Sequence, residues 1–147
     1  MSGLRRHLQL FKTMNNELRF NSLHALGIAC LALPNPDMDL RHLFSPDAYA
    51  RMLIMPANTV VMSAVHKTQH ITVCCYGVAD VVDADGNKKR ITGPDFWITE
   101  PGTQRALHII EESCWIGLFV GKFDSVIDAE NKLVDLPTFL GVQDEIV

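Results

Sequence analysis

The sequence predicts an all-β domain flanked by a short N-terminal helical arm and a C-terminal helix. Turn-forming residues recur at intervals of roughly 8–12 residues through the middle of the chain, which is typical of a sandwich or barrel. On either side of this region, apolar residues recur at helical spacing. The length of 147 residues, 48% of them hydrophobic, suits one core with short appendages. We therefore divide the chain into an arm (1–28), a β-barrel (29–122) and a C-terminal helix with a tail (123–147).

The N-terminal arm carries Leu4, Leu8 and Phe11 at helical spacing, and further leucines continue the apolar pattern to about Gly27. We expect one or two short helices here. An arm this apolar needs a surface to cover, either on its own barrel or on a neighbouring subunit, which favours a homo-oligomer. The apolar run from Leu23 to Leu33 is roughly 11 residues long and too short to span a bilayer. We expect no membrane partner.

Turn sequences punctuate the central region and separate its predicted strands. The strongest signal is Asp85-Gly86, between strands predicted at 78–82 and 88–91, because glycine accepts the positive φ that a tight hairpin turn requires. The other predicted turns are Pro34-Asn35-Pro36, Ser45-Pro46-Asp47, Pro56-Ala57-Asn58, Gly93-Pro94-Asp95 and Pro101-Gly102.

In the C-terminal region the sequence predicts a short amphipathic helix. Its N-cap is expected to be Asp124 or Ser125, and it ends before Pro137. Residues 138–147 are interpreted as an extended arm. The apolar positions that define the helix are Phe123, Val126, Ile127, Leu133 and Val134.

The charge and the cysteine content argue against nucleic-acid binding and against a secreted disulfide scaffold. The net charge is -4 and no dense Lys/Arg cluster is present, so nucleic acid is not an expected partner. The cysteines show neither CxxC spacing nor the pattern of a secreted disulfide scaffold, which favours a reducing cytoplasm. They are Cys30, Cys74, Cys75 and Cys114.

Two histidines define the predicted site. A turn at residues 67–69 would bring His70, at the start of a return strand, beside His66. Because strand side chains alternate, we expect His66 to share a face with Met62 and Ala64, and the residues between them to face the other way.

Three interpretations of this histidine pair stay open. The pair could bind Zn²⁺, Ni²⁺ or Fe²⁺ with a third ligand such as His108, Cys74 or water. It could instead hold a small anion with Arg105, assisted by the hydroxyls of Thr72 and Tyr76. The third interpretation is that both histidines are hydrogen-bonded residues that fill the mouth of the barrel.

Two segments resemble the conserved motifs of the cupin (jelly-roll) β-barrel family: VVMSAVHKTQHITVCCYG at 60–77 and GPDFWITEPGTQR at 93–105. The resemblance implies a cupin-like fold, and it places Ala64 and His66 at the two histidine ligand positions of the first motif. It places His70 at the glutamate position and Arg105 at the histidine position of the second motif. Alanine has no donor atom and a guanidinium is permanently cationic, so a conventional cupin metal site is not expected.

Segments 55–59, 65–70, 101–106 and 111–115 also resemble small cupin-like proteins of tailed bacteriophages. The likeness spans residues 31–135. Members typically carry a histidine at the position of His70 and a basic residue at that of Arg105. The resemblance implies a phage origin, a location in the host cytoplasm or the virion, and no particular reaction.

These observations favour a non-catalytic, oligomeric structural or assembly component of a virion, which contacts copies of itself and other phage structural proteins and needs no cofactor. One alternative is a metal-dependent cupin enzyme that uses His66, His70 and His108. Another is a small-anion-binding protein that uses His66, His70 and Arg105.

Overall fold

The structure is a computed structural model that describes residues 38–135. The predicted N-terminal arm, the turn at 34–36 and the C-terminal tail lie outside these residues. Within 38–135 the chain forms nine strands and one helix. In chain order they are β1 (Asp39–Ser45), β2 (Ala48–Met55), β3 (Val60–Met62), β4 (Val65–His66), β5 (His70–Asp83), β6 (Lys88–Thr92), β7 (Asp95–Thr99), β8 (Arg105–Val120), α1 (Val126–Leu133) and β9 (Val134–Asp135).

Seven of these strands form one antiparallel sheet, which confirms the all-β prediction. Its main order is β1-β2-β8-β5-β6, with β3 paired to β8 and β7 paired to β5. The two long strands, β5 with 14 residues and β8 with 16, lie side by side at the centre. Strands β4 and β9 form a separate two-stranded ribbon. The side chains on the concave side of the sheet, which carries the core, are called inner here, and those on the opposite side outer.

The predicted hairpin is confirmed. Strands β5 and β6 are joined by a turn in which Gly86 has φ 85° and its N–H donates to the carbonyl of Asp83 over 3.1 Å. The Asp83 carboxylate accepts hydrogen bonds from the backbone N–H groups of Asp85 and Asn87, each over 2.9 Å. An aspartate that binds its own following backbone stabilises such a turn.

Strand β5 is irregular where it passes β8. Its register shifts between Cys74 and Ala79, and Gly77 within this stretch has φ 106°. A Cβ at Gly77 would also collide with Ser113 and with the backbone of Glu112. Glycine is therefore required here for both its conformation and its small size.

The inner face of the sheet carries the core. Its central cluster includes Leu53, Met55, Leu107 and Ile109, all buried. Trp97 packs edge-on against Trp115 with ring centres 5.1 Å apart. Both tryptophans therefore belong to the core cluster.

Helix α1 packs on the same inner side through Ala129 and Leu133, which join Tyr49 and Phe119 in a second apolar cluster. The predicted N-cap is confirmed, because the Ser125 hydroxyl accepts a hydrogen bond from the Asp128 N–H over 3.1 Å. In the part of the chain that the structure describes, no helix has the length and apolar character needed to cross a bilayer.

Candidate functional site

A cavity of about 90 Å³ lies between the inner face of the sheet and α1. We call it the inner cavity. Strands β2, β5 and β8 form its floor, and Ala129 and Leu133 of α1 form one wall. Most of its lining is apolar, but polar side chains from four strands and one connecting segment also reach it. These are Arg51, Ser63, His66, His70, Thr72 and Arg105. Helix α1 adds a carboxylate residue, Glu130, to the lining.

The floor of the inner cavity contains a gap in the row of side chains. In the pairing register, Gly117 of β8 stands between Arg51 of β2 and Thr72 of β5. All three residues line the cavity. Glycine has no side chain, and the ring of Phe119 fills this gap, because a Cβ at Gly117 would lie only 2.9 Å from that ring.

Arg105 begins β8 and is held at the cavity by several contacts. Its backbone N–H donates to the Ser63 hydroxyl over 2.9 Å, and its Nη2 donates to Thr99 Oγ1 over 3.3 Å. The Thr99 hydroxyl is in turn 2.6 Å from that of Thr72. Burial lowers the pKa of Arg105 to about 10, so the guanidinium still carries its charge at neutral pH.

His66 is fixed by the turn that follows β7. Its backbone N–H donates to the Thr103 carbonyl over 3.0 Å, and its carbonyl accepts from the Gly102 N–H over 2.7 Å. Its ring centre is 4.7 Å from that of His70. The prediction that the intervening turn brings these two histidines together is confirmed.

The predicted faces before His66 are wrong. Val61, Ser63 and His66 line the inner cavity, whereas Met62 and Ala64 do not. The reason is that β3 ends at Met62 and β4 begins only at Val65, so the side-chain alternation does not continue across the break.

Both histidines are neutral at physiological pH. Burial lowers the pKa of His66 to about 3, with further lowering from the His70 ring when it is protonated and from the Arg105 and Arg51 guanidiniums. Burial also lowers the pKa of His70, against the opposing effect of its hydrogen bond to the Thr68 carbonyl. That bond, 3.1 Å from Nδ1, places the proton of the neutral ring on Nδ1 because a carbonyl can only accept.

Several donors at the cavity have no partner within the described residues. These are Nε and Nη2 of Arg51, and Nδ1 of His66 is likewise unpaired. Trp115 Nε1 also lacks a well-aligned partner, but the indole is close enough to the Cys74 thiol to oppose the rise in pKa that burial gives that thiol. No carboxylate of residues 38–135 lies within 4.0 Å of a guanidinium nitrogen of Arg51 or Arg105. Buried charges and donors are normally paired, because leaving them unpaired is costly. The inner cavity therefore suits an anionic, hydrogen-bond-accepting ligand.

The structure brings together only His66 and His70 of the predicted metal set His66, His70 and His108. His108 lies on β8 one residue after Leu107, so alternation turns it away from the cavity, and it stands opposite Asp80 of β5. The other proposed third ligand, Cys74, donates its thiol to the Tyr76 carbonyl over 3.5 Å and does not line the cavity.

The donor set does not fit a zinc, nickel or iron ion. Within residues 38–135 no three His, Cys, Asp or Glu side chains are grouped so that they could hold a metal. The side chains that accompany His66 and His70 are instead Arg51 and Arg105, whose cationic groups disfavour a divalent cation.

Tyr76 is also not part of the site. The register shifts in β5 turn its side chain outward, where it is 43% exposed and its hydroxyl donates to Glu112 Oε2 over 3.2 Å. Thr72 and Arg105, in contrast, do line the cavity as predicted.

Two functional residues were not predicted. Arg51 lies on β2, where Tyr49, Leu53 and Met55 at alternate positions are all buried. The sequence signal for Arg51 is that it is the one charged residue among the alternate, otherwise apolar positions of this strand. Trp115 lines the cavity beneath the Arg105 guanidinium, and no sequence pattern placed it there.

The fold has many relatives among solved structures. They include the EutQ protein of Clostridium difficile, with a TM-score of 0.50 at 16% identity over 61% of this chain and 72% of that one. The chain has a cupin fold. A cupin superfamily protein of Desulfitobacterium hafniense gives a TM-score of 0.51 at 10% identity over 61% and 83% of the two chains. KdgF of Halomonas sp. gives 0.50 at 20% identity over 61% and 85%.

At these identities the likeness shows the cupin fold alone. No protein-family model and no curated protein matches the sequence. The chemistry of the inner cavity therefore has to be argued from its own side chains.

Proposed function

We propose that this protein binds a small organic carboxylate in the inner cavity. The observation that carries the proposal is that Arg51 and Arg105 both line one cavity, while neither forms an ion pair with Glu130, which also lines it, or with any other carboxylate of the described residues. A guanidinium offers a planar fork of donors that matches the two oxygens of a carboxylate.

The apolar lining favours a carboxylate with an apolar body over inorganic phosphate. Leu53, Met55 and Leu107 surround the polar groups, and a phosphate would leave these surfaces uncovered. The volume of about 90 Å³ is well below that of a drug-sized pocket, which limits the body to a few carbon atoms. A short branched carboxylate such as isobutyrate is a suitable probe.

The neutral histidines extend this recognition. His66 lies close enough to both arginines for their charges to lower its pKa. A bound carboxylate would neutralise part of that charge and favour protonation of His66, which could then donate a hydrogen bond. Binding is therefore expected to take up protons.

The sequence also suggested a metal-dependent enzyme and a component of a virion. A metal-dependent enzyme would need a third ligand that residues 38–135 do not bring to His66 and His70. The role of a structural or assembly component of a virion stays a prediction, as do the phage origin, the homo-oligomer and the location in the host cytoplasm or virion.

Isothermal titration with isobutyrate, and with its neutral isostere isobutyramide, tests the proposal. We expect saturable binding of isobutyrate only. At a hundredfold excess over Kd, ligand binding stabilises the fold by about 2.7 kcal/mol, or a rise in Tm of roughly 5–10 °C. Arg51→Met and Arg105→Met should each abolish this rise.

The matched control is Arg41→Met, because Arg41 lies on the outer face and is exposed beside Asp39. It should leave binding unchanged. Equal binding of isobutyramide, no binding by a panel of acetate, isobutyrate and benzoate, or full binding by Arg51→Met would overturn the proposal.

A further inference from the structure

The outer face of the sheet carries an uninterrupted apolar row. In the pairing register, Leu43 of β1, Ala50 of β2, Leu118 of β8, Ile71 of β5 and Ile98 of β7 stand side by side. The row crosses five strands. Leu43 is 71% exposed, Ile98 58% and Leu118 41%. We call these five residues the outer row.

The next row on the same face is almost as apolar. It consists of Arg41, Met52, Ile116, Val73 and Phe96, in which Phe96 is 76% exposed. A groove of about 490 Å³ runs along the outer row towards the ends of the strands. Contiguous exposed apolar surface of this kind marks a contact site.

The chain itself supplies a segment that fits this face. Residues 23–33 read LHALGIACLAL, which contains no charged residue other than a histidine, and they precede the edge strand β1 by only a few positions. From residue 33 to residue 38 an extended chain spans up to roughly 18 Å, and Leu43 lies roughly 17 Å along β1 from that point. The segment can therefore reach the outer row without leaving its own molecule.

Charge favours the same arrangement. Residues 1–37 carry four basic and two acidic residues, a net charge of +2, whereas residues 38–135 carry nine basic and thirteen acidic residues, a net charge of -4. The arm and the body thus attract each other, while two bodies of like charge repel. A tethered segment also binds at an effective concentration in the millimolar range, which a second molecule does not reach in dilute solution.

We propose that residues 23–33 pack across the outer row of their own chain. This goes beyond ligand binding, because it assigns the outer face of the cupin fold to an intramolecular cover.

Cys30 lies within this segment and reports on its burial. The experiment measures the alkylation rate of each cysteine with iodoacetamide in the full chain, by peptide mass spectrometry. We expect Cys30 to react at least tenfold more slowly than in the urea-unfolded chain. Leu118→Asp and Ile98→Asp, each of which places a charge in the outer row, should restore most of the unfolded rate.

The matched control is Ile127→Asp, because Ile127 is 71% exposed on α1 and lies outside the outer row. It should leave the rate at Cys30 unchanged. Slow alkylation of the buried Cys74 and Cys114 in each variant verifies that the variant is folded.

Three outcomes would overturn the proposal. One is reaction of Cys30 at the unfolded rate in the unmodified chain. A second is protection that persists in both folded aspartate variants. The third is a dimer in sedimentation, with protection of Cys30 that is lost when the dimer dissociates on dilution. The outer row would then be covered by a second copy of the chain.

Discussion

The guanidinium carbon of Arg105 lies 5.6 Å from the centre of the Trp115 ring. The indole of the same tryptophan lines the inner cavity. The contact between a cation and an indole face changes when an anion binds beside the cation. Trp115 is therefore an intrinsic reporter for the inner cavity.

We predict that isobutyrate changes the emission of Trp115, because it neutralises the neighbouring cation. The measurement is steady-state fluorescence in a Trp97→Phe background, which leaves Trp115 as the only tryptophan of the chain. The change should saturate with the Kd from titration and disappear in Arg105→Met. Emission that shifts equally with isobutyramide would contradict this account.

We predict that Gly77→Ala is far more destabilising than Gly102→Ala. Both glycines have positive φ, 106° and 85°, so alanine costs each about 1–2 kcal/mol in backbone conformation. Only at Gly77 does the new Cβ also collide with β8, whereas at Gly102 it meets no atom within 4 Å. We expect a loss of roughly 3 kcal/mol or more against about 1 kcal/mol.

Urea denaturation followed by circular dichroism checks this pair of values. Similar midpoints for the two variants would mean that the contact between β5 and β8 at Gly77 is looser than the structure shows.

We predict that acid destabilises the protein through His66. Its folded-state pKa of about 3 lies below the ordinary value of 6.5, so between these values the unfolded chain binds a proton that the folded chain does not. The stability contributed by its neutral form is complete above pH 6.5 and is lost as the pH falls towards 3. The loss is at most about 1.4 kcal/mol per pH unit for this one group.

The check is the free energy of unfolding between pH 7 and pH 4 for the unmodified chain and for His66→Gln. The variant should show the shallower pH dependence. The lowered pKa of His70 acts in the same direction and leaves a residual slope in the variant. Parallel curves would show that His66 titrates normally in the folded state.

We predict that the purified protein does not depend on a transition metal. Two imidazoles beside two guanidiniums form a poor cation site. Elemental analysis of untagged protein, purified without chelator or nickel resin, should find less than a tenth of an equivalent of zinc, nickel or iron per chain. Treatment with EDTA should leave Tm unchanged. One equivalent of metal that is lost in His66→Ala would contradict this prediction.

Local signals predicted the parts of the fold that depend on a few consecutive residues. Asp85-Gly86 specifies its own turn because Asp83 and Gly86 supply all of the required hydrogen bonds and the positive φ. Ser125 specifies the start of α1 in the same way. The pairing of β2 with β8 depends on residues far apart in sequence, and no local pattern encodes it.

The site was predicted only in part because its residues depend on irregular strands. Alternation gave the wrong neighbours for His66, since Ser63 and Ala64 interrupt the strand. It also failed at Tyr76, which a register shift turns outward. Arg51 comes from a strand that sequence alone does not place beside the histidines.

The attachment of α1 has a consequence for ligand selectivity. The helix is tied at its end by the two-residue ribbon β4–β9, by the Lys67 N–H bond of 2.8 Å to the Leu133 carbonyl, and by an exposed ion pair between Lys67 and Asp135. None of these contacts belongs to the main sheet. One wall of the cavity can thus be displaced while the arginines on the opposite side keep their positions. Along a homologous series of carboxylates, we expect the affinity to fall gradually with the chain length of the ligand, without a sharp size limit. We also expect the rate of ligand exchange to be set by the motion of this helix.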